Sequence, residues 1–260
     1  MAIYLRQICL VANNLKSVVD DLTTVFGIQS CYVDSAVGKF GLENNLLAIG
    51  SQFLEVVAPI QENTAAGRFL QRRGGDGGYM VICQVPTKAE QAEVRQRAAE
   101  LGVRIAYESD RGSWNIMQLH PADMGAAFFE VDWDEQEDVT GNWHPAGGKE
   151  WQKFVATEVI SAITAVELQS DDPEALAQTW AKVSGGTITK KDNVLSLAFA
   201  NAELRFVKAT DGRGAGLSGI DLKVIDRNYI EQETVPRKIN LANNQLFIGG
   251  VRFNLISNWK

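Results

Sequence analysis

Two glutamates lie inside otherwise apolar strands, and their side chains are the best placed in the sequence to do chemistry. Glu130 follows Ala-Phe-Phe and precedes Val131, and Glu55 lies within the run QFLEVVA. A carboxylate on a strand that is covered on both faces needs a metal, a cation, a substrate or a hydrogen-bond network. Two carboxylates in one cavity could bind a metal or act as general acid and base. The alternative is that each glutamate meets an arginine or backbone donors inside a sheet.

A glutamine and a cysteine near the N-terminus are further candidates. Gln7 interrupts the apolar strand IYLRQICLVA, and Cys9 shares its face because strand side chains alternate. We expect Gln7 to line the same cavity as the two glutamates. The alternative for both residues is core packing, with the Gln7 amide hydrogen-bonded in the interior.

The third group of candidates comprises a histidine and three arginines. His120 opens the sequence HPADMG just before the Glu130 strand, where a catalytic role and a turn-stabilising role are both open. Arg68, Arg72 and Arg73 lie in GRFLQRRGG, and a guanidinium there could bind a substrate carboxylate or phosphate. Arg73 is the predicted substrate-binding residue of the three. The alternative is a solvated helical turn.

The elements that must position these residues occur twice in the first half of the chain. Apolar spacing and Asn caps predict a strand, a helix over 15–26 that ends at Gly27, and three short strands. The same order begins again at the strand GYMVICQV. Superposing the two repeats places Met80 at the position of Gln7 and Glu130 at the position of Glu55. The segment from Leu119 to Val131 is predicted to form a hairpin with a tight turn.

The second half of the chain repeats the pattern less completely. An acidic, glycine-rich stretch predicts a linker over 134–155, which separates domains over 1–133 and 156–260. A third strand–helix–strand unit follows, with its helix starting at Pro173. The fourth unit shows strands but no convincing helix between them, so we expect it to be degenerate.

Composition limits the classes of function. The chain has 260 residues, a formal charge of −7 and a pI near 5.0, which argues against a nucleic-acid or anionic-membrane partner. No apolar stretch approaches membrane-spanning length, and the N-terminus lacks the pattern of a secretory signal. The three cysteines are Cys9, Cys31 and Cys83, an odd number that fits a reducing cytoplasm.

The repeats and four motifs carry a resemblance to a known superfamily. The motifs are LRQICLVANNL, QFLEVVAP, GRFLQRRGGDGGYMV and LHPADMGAAFFEV. With four strand–helix–strand modules, the chain resembles the vicinal oxygen chelate superfamily, in the branch of methylmalonyl-CoA epimerase and the glyoxalase-like domain proteins. The resemblance implies an α+β fold of tandem βαβββ modules in two domains, with a cavity between paired modules.

The resemblance also implies a metal site with one defect. The ligand positions of the superfamily fall on Gln7, Glu55, Met80 and Glu130, and relatives bind Mn, Fe, Co, Ni, Zn or Mg there. Met80 stands where relatives usually carry histidine, and a soft thioether does not suit a hard metal. Cys9 and Met80 are predicted with Arg73 to be substrate-binding residues. A soft Cys9–Met80 pair could also favour a different metal, and the alternative for both side chains is core packing. The corresponding positions in the second half are Ala165, Arg205, Gly219 and Asn254, which form no such site.

Two functions follow from the resemblance. The first is a metal-assisted lyase, isomerase or epimerase that acts on a small oxygenated metabolite, with Gln7, Glu55 and Glu130 as ligands. The second is a metal-free protein that binds a small molecule, like the bleomycin-resistance proteins. A ring-cleaving dioxygenase fits less well, because its iron needs two histidines and the chain offers only His120 and His144. The partner is a small-molecule ligand, and the sequence leaves a monomer and a homodimer both open.

Overall fold

The computed structural model describes residues 2–143 and 148–257 of the chain. These residues form two compact units, each assembled from separate stretches of sequence. Unit one comprises Met1–Gln7, Tyr79–Pro145 and Ala165–Leu217, and unit two comprises Ile8–Gly78, Ala146–Thr164 and Ser218–Lys260. The predicted domain boundaries stay a prediction, because the units are clusters of contacts and not continuous lengths of chain.

The first module has the predicted order of one strand, one helix and three strands. Its elements are β1 (Tyr4–Val11), α1 (Leu15–Phe26), β2 (Gln29–Tyr32), β3 (Leu42–Ile49) and β4 (Gln52–Pro59). The side chain of Asn14 accepts a hydrogen bond from the backbone N–H of Ser17, which starts α1, and Gly27 ends it in the left-handed conformation. Strands β2, β3 and β4 pair antiparallel in sequence order. A 3-10 helix, Ser35–Phe40, precedes β3.

The second module repeats this order after a helix that leads into it. Its elements are α2 (Ala65–Arg73), β5 (Gly77–Gln84), α3 (Lys88–Glu100), β6 (Ile105–Asp110), β7 (Trp114–Leu119), α4 (Pro121–Met124) and β8 (Phe128–Asp134). In unit one, β8 lies between β5, to which it is parallel, and β7, to which it is antiparallel. The expected tight turn between β7 and β8 is wrong, because α4 forms the connection. Pro121 favours that helix at its first position.

The third and fourth modules form the remaining elements. They are β9 (Ile160–Ser170), α5 (Pro173–Ser184), β10 (Ile188–Lys191), β11 (Val194–Ala198), β12 (Glu203–Lys208), β13 (Gly216–Val224), α6 (Arg227–Thr234), β14 (Gln245–Ile248) and β15 (Val251–Ile256). In unit one, β12 pairs parallel with β9, and β10–β11–β12 are antiparallel. In unit two, β15 pairs parallel with β13 and antiparallel with β14. In modules two, three and four, the last strand therefore pairs parallel with the first strand and antiparallel with the strand before it.

The expectation that the fourth module lacks a helix is wrong. Helix α6 begins after Asp226, whose side chain accepts a hydrogen bond from the Tyr229 N–H, and it buries Ile230 and Thr234. Within the described part of this module, three strands accompany the helix instead of four. The module is therefore shortened by a strand. The α+β class itself is confirmed, with helices and strands alternating as predicted.

Aromatic side chains hold the helices against the strands within each unit. In unit one, the Trp180 ring lies 4.8 Å from that of Phe129, and its Nε1 donates to Met124 O at 2.9 Å. In unit two, the rings of Phe26 and Phe253 lie 5.1 Å apart. Of the predicted linker, Trp151–Phe154 forms a 3-10 helix, and His144 lies outside the described residues. No helix among the described residues is long and apolar enough to cross a membrane.

Candidate functional site

Glu130 lies in the middle of β8, with a strand on each side of it. Its register partners are Ile82 on β5 and Gln118 on β7, and its side chain is 5% exposed. The central strand position follows from the apolar residues around it, which favour burial on both faces. Met80 pairs with Phe128, so alternation places Met80 and Glu130 on the same face of unit one. The structure therefore brings these two predicted residues together.

Asp132 is the closest titratable neighbour of Glu130, and the sequence analysis did not select it. It lies two residues further along β8, so it shares the face of Glu130, and it is fully buried. Its Oδ1 accepts a hydrogen bond of 3.2 Å from the Met117 N–H, and its carboxyl is hydrogen-bonded to Glu130. Burial, followed by the negative charge of Glu130, raises the pKa of Asp132 well above its ordinary value. The two side chains form a buried carboxyl–carboxylate pair.

Asp134 extends the acidic face of β8, whereas Cys83, which is in register with Val131, lies on the opposite face. The Cys83 thiol on β5 is buried, and burial together with Asp132 and Glu130 raises its pKa, so it stays a neutral thiol. Asp134, the next alternate residue of β8, is 1% exposed. The sequence VDWD carried a readable signal, since alternation from Glu130 predicts Asp132 and Asp134 on one face.

Arg6 is a second buried charge that the sequence analysis did not select. Its guanidinium donates to Gln84 Oε1 at 2.7 Å and to Gly141 O at 2.9 Å, and it lies 5.1 Å from the Trp143 ring. Burial lowers the pKa of Arg6 to about 10, against the raising effect of Asp134 and Asp138. Arg6 therefore keeps its charge at neutral pH.

Glu55 belongs to unit two and has a well-defined partner there. It is 7% exposed and lies on β4 opposite Leu46. Asn44, which is 2% exposed, donates from Nδ2 to Glu55 Oε1 at 2.6 Å. The Asn44 oxygen in turn accepts a bond of 2.9 Å from the Asp34 N–H, which fixes the orientation of the amide. Glu55 is thus held as a hydrogen-bond acceptor.

The other predicted residues are buried to different degrees in the two units. Gln7, in unit one, is 3% exposed. Cys9, in unit two, is fully buried and its thiol lies 3.6 Å from Leu10 O. Arg73, also in unit two, is 6% exposed at the end of α2, which argues against the solvated turn considered as its alternative. The predicted grouping of Gln7, Glu55 and Glu130 in one site stays a prediction.

His120 caps the short helix α4. Its Nδ1 accepts a hydrogen bond of 3.2 Å from the Ala122 N–H, the contact expected of a helix-capping residue. The adjacent Asp123 is paired with Arg104, and that hydrogen bond lowers the pKa of Asp123. These contacts give His120 a turn-stabilising function, and its predicted catalytic role stays a prediction.

The donor atoms of unit one do not fit a divalent metal. At the superfamily positions it offers an amide from Gln7, a thioether from Met80 and one carboxylate from Glu130. Glu130 is hydrogen-bonded to Asp132, and Met80 is packed in register with Phe128. Among the described residues, no group of three or more His, Cys, Asp or Glu side chains is arranged to hold a metal. A hard cation prefers several oxygen or imidazole ligands, which this set does not supply.

Comparisons with solved structures identify the fold. A hypothetical protein from Staphylococcus aureus is similar over 98% of this chain and 100% of its own, with a TM-score of 0.65 and 16% identity. Methylmalonyl-CoA epimerase from Streptomyces coelicolor, in complex with 2-nitronate-propionyl-CoA, matches 52% of this chain and 99% of its own, with a TM-score of 0.44 and 22% identity. A hypothetical protein from Bacillus halodurans matches 52% of this chain and 96% of its own, with a TM-score of 0.44 and 18% identity.

Sequence comparison identifies the family. No curated protein matches the sequence. The family model described as a glyoxalase-like domain matches residues 8–184, which is most of the chain. The predicted superfamily and its tandem-module fold are therefore confirmed. The chain belongs to the glyoxalase-like domain family.

Proposed function

We propose that the protein is an isomerase- or lyase-type enzyme that moves a proton on a small oxygenated metabolite, with Glu130 as the base. The observation that carries the proposal is the buried pair of Glu130 and Asp132 on one face of β8. The Met117 N–H holds Asp132, and Asp132 in turn orients Glu130. Perturbed carboxyls of this kind concentrate at catalytic sites.

The energetics of the pair support a chemical role over a structural one. Burying a carboxylate costs several kcal/mol of lost solvation. Two apolar side chains at these positions would avoid that cost. Neighbours such as Ile82, Phe129 and Val131 are apolar, so the strand does not need acids for its own pairing. Stability therefore does not account for the two acids, whereas a catalytic role does.

The proposed step begins with proton removal from a carbon next to a carbonyl group. Glu130 takes the proton, and the electron pair of the C–H bond moves toward the carbonyl oxygen. The neutral Asp132 donates a hydrogen bond to Glu130 and holds its second oxygen toward the substrate. Return of the proton to the same or the neighbouring carbon completes an isomerisation.

A metal-assisted version of this reaction is the finer prediction from the sequence. It would need Gln7, Glu55 and Glu130 as ligands, and the thioether of Met80 counts against it. The three cysteines are free thiols, in keeping with the cytoplasmic location that we propose. The partner that we propose is a small-molecule ligand.

The second candidate function is metal-free binding of a small molecule. Apolar side chains in unit one support this function. Met80 is in register with Phe128, and the Tyr79 ring contacts the Phe128 ring edge-on, with 5.1 Å between the ring centroids. Thioether and aromatic groups suit a ligand that is held and not transformed.

The experiment that separates the two is deuterium exchange. The full-length protein is incubated in D2O with panels of 2-oxo acids, hydroxy ketones and acyl thioesters, and exchange at the carbon next to the carbonyl is followed by proton NMR. We expect one class to exchange, and Glu130→Gln to slow that exchange by at least about 100-fold, the usual contribution of a general base.

Two variants serve as controls for this experiment. Asp132→Asn keeps a neutral hydrogen-bond donor beside Glu130, so it should retain most of the exchange. Glu135→Gln alters an exposed acid just after β8 and should leave the rate unchanged. Binding without exchange in any class would overturn the enzyme in favour of the binding protein. Equal exchange rates in wild type and Glu130→Gln would overturn the assignment of Glu130 as the base.

A further inference from the structure

The fourth module carries a polar pair on the face of its strands that points away from the apolar core residues. Asp221 on β13 is in register with Asn254 on β15, and Gly219 is in register with Arg252. Since paired residues of parallel strands point to the same side, all four share one face of unit two. Asn254 Nδ2 donates to Asp221 Oδ1 at 2.7 Å, and the two side chains are 8% and 3% exposed.

One atom of this pair lacks a hydrogen bond. Asn254 Oδ1 is buried and has no partner among the described residues. Flipping the amide would bring its oxygen against the Asp221 carboxylate, so the orientation with Nδ2 toward Asp221 is fixed. A buried acceptor without a donor is destabilising. The position is therefore suited to accept a hydrogen bond from a ligand.

Two neighbouring residues add charge and space beside that acceptor. Arg252 lies two residues before Asn254 on the same face of β15, and it is only partly buried. Its guanidinium carries several donors in a planar fork, which matches a carboxylate. Gly219, its register partner, has no side chain to fill the space opposite. The Cα atoms of Arg252 and Asn254 thus lie about 7 Å apart along one strand, and one residue carries a carboxylate-binding group while the other carries a hydroxyl-accepting oxygen.

We propose that Asp221, Arg252 and Asn254 form a second ligand site, for a small hydroxycarboxylate. The ligand hydroxyl donates to Asn254 Oδ1, and the ligand carboxylate binds the Arg252 guanidinium. Asp221 keeps the amide in the orientation that presents its oxygen. The site is independent of Glu130 and of the proposed proton transfer.

The third module makes a useful contrast. Its pair of residues at the same register positions is Glu167 and Arg205, joined by a bond of 2.8 Å in unit one. There an acid and a guanidinium bind each other, and neither of these two side chains has a buried acceptor without a partner. In both modules the acid lies two residues after the superfamily position, which is occupied by Ala165 or Gly219. The sequence analysis missed these two acids because they lie further along the strand than the superfamily position.

The test is NMR titration of the full-length protein labelled with nitrogen-15. The side-chain amide signal of Asn254, assigned by its loss in Asn254→Ala, is followed as glycerate is added. Propionate, which lacks the hydroxyl, and glycerol, which lacks the carboxylate, are the matched probes. We expect glycerate to shift the signal, and each partial probe to bind at least about tenfold more weakly.

Variants and outcomes complete the test. Arg252→Gln should reduce the affinity for glycerate to that for glycerol. Asn228→Ala, on the exposed side of α6, should leave the affinity unchanged. If Asn254→Ala does not fold, the wild-type titration and Arg252→Gln still decide the matter. No shift up to about 10 mM glycerate would mean that a water satisfies Asn254 Oδ1, and would overturn the proposal. Glu130→Gln should bind glycerate normally, so failure of the enzymatic proposal would be seen separately.

Discussion

Asn44 holds the predicted site residue Glu55 in unit two, with 2.6 Å between Asn44 Nδ2 and Glu55 Oε1. The amide cannot turn away, because the Asp34 N–H holds its oxygen at 2.9 Å. Asn44 therefore offers a donor and nothing else to the carboxylate. The contact therefore fixes the Glu55 carboxyl group against β3.

Replacing Asn44 should destabilise the protein. Asn44→Leu has nearly the same volume but leaves Glu55 and the Asp34 N–H without their shared partner, so the free energy of unfolding should fall by about 1–3 kcal/mol. Urea denaturation monitored by circular dichroism measures the change. Asn240→Ala, at an exposed position, should shift it by less than about 0.5 kcal/mol. Equal effects in the two variants would show that the Asn44 contact contributes nothing.

Asp132 should make the stability of the protein depend on pH. Because its pKa is raised in the folded state, the unfolded chain loses this proton at lower pH than the folded protein does. The free energy of unfolding should therefore decrease as pH rises above the ordinary pKa of 3.8, by up to about 1.4 kcal/mol per pH unit. Asp132→Asn mimics the neutral carboxyl and should lack this slope.

The measurement is the urea midpoint of wild type and Asp132→Asn between pH 5 and pH 8, at about 0.15 M salt. The urea midpoint of the variant should increase relative to that of the wild type as the pH rises. Parallel curves for the two proteins would contradict a protonated Asp132 in the folded state.

His120 should contribute to stability through its capping hydrogen bond. His120→Ala removes the acceptor of the Ala122 N–H and should cost about 0.5–2 kcal/mol. His120→Asn supplies another good capping side chain and should restore most of that loss. The deuterium-exchange assay decides the remaining question, because a catalytic His120 would lose activity in both variants, whereas a capping His120 would keep it in His120→Asn.

Metal analysis tests the ligand set that the sequence predicts. Protein purified without chelator should contain less than one equivalent of divalent metal, because Met80 replaces a ligand and Glu130 bonds to Asp132. Met80→His restores the imidazole of the superfamily pattern and should increase the uptake of added Zn²⁺ or Mn²⁺. Stoichiometric metal in the wild type that is lost in Glu130→Ala would show instead that Gln7, Glu55 and Glu130 bind it.

Local signals explain which elements were predictable. Helix α1 has the predicted bounds because Asn14 caps it, an apolar stripe runs along it, and Gly27 ends it. Helix α6 was missed because it buries only Ile230 and Thr234, too few for a periodic pattern, although Asp226 was a readable cap. The burial of Glu55 and Glu130 followed from their apolar flanks.

The missed parts of the site depend on pairing between distant strands. Alternation in the segment VDWD places Asp132 on the face of Glu130, but the hydrogen bond that holds this acid comes from the Met117 N–H on the neighbouring β7. Asn254 becomes informative only beside Asp221, 33 residues away. Register between strands is set by the whole sheet, so a single strand sequence does not contain it.

The contacts of Arg6 set an order for folding of the chain. Its guanidinium needs the carbonyl groups of Asp138 and Gly141, which follow it by 132 and 135 residues. During synthesis at about 5–20 residues per second, β1 must therefore wait roughly ten seconds for these partners. Until then a charged side chain occupies a strand that cannot yet bury it. The N-terminal strand is consequently expected to complete its packing late, after the second module has left the ribosome.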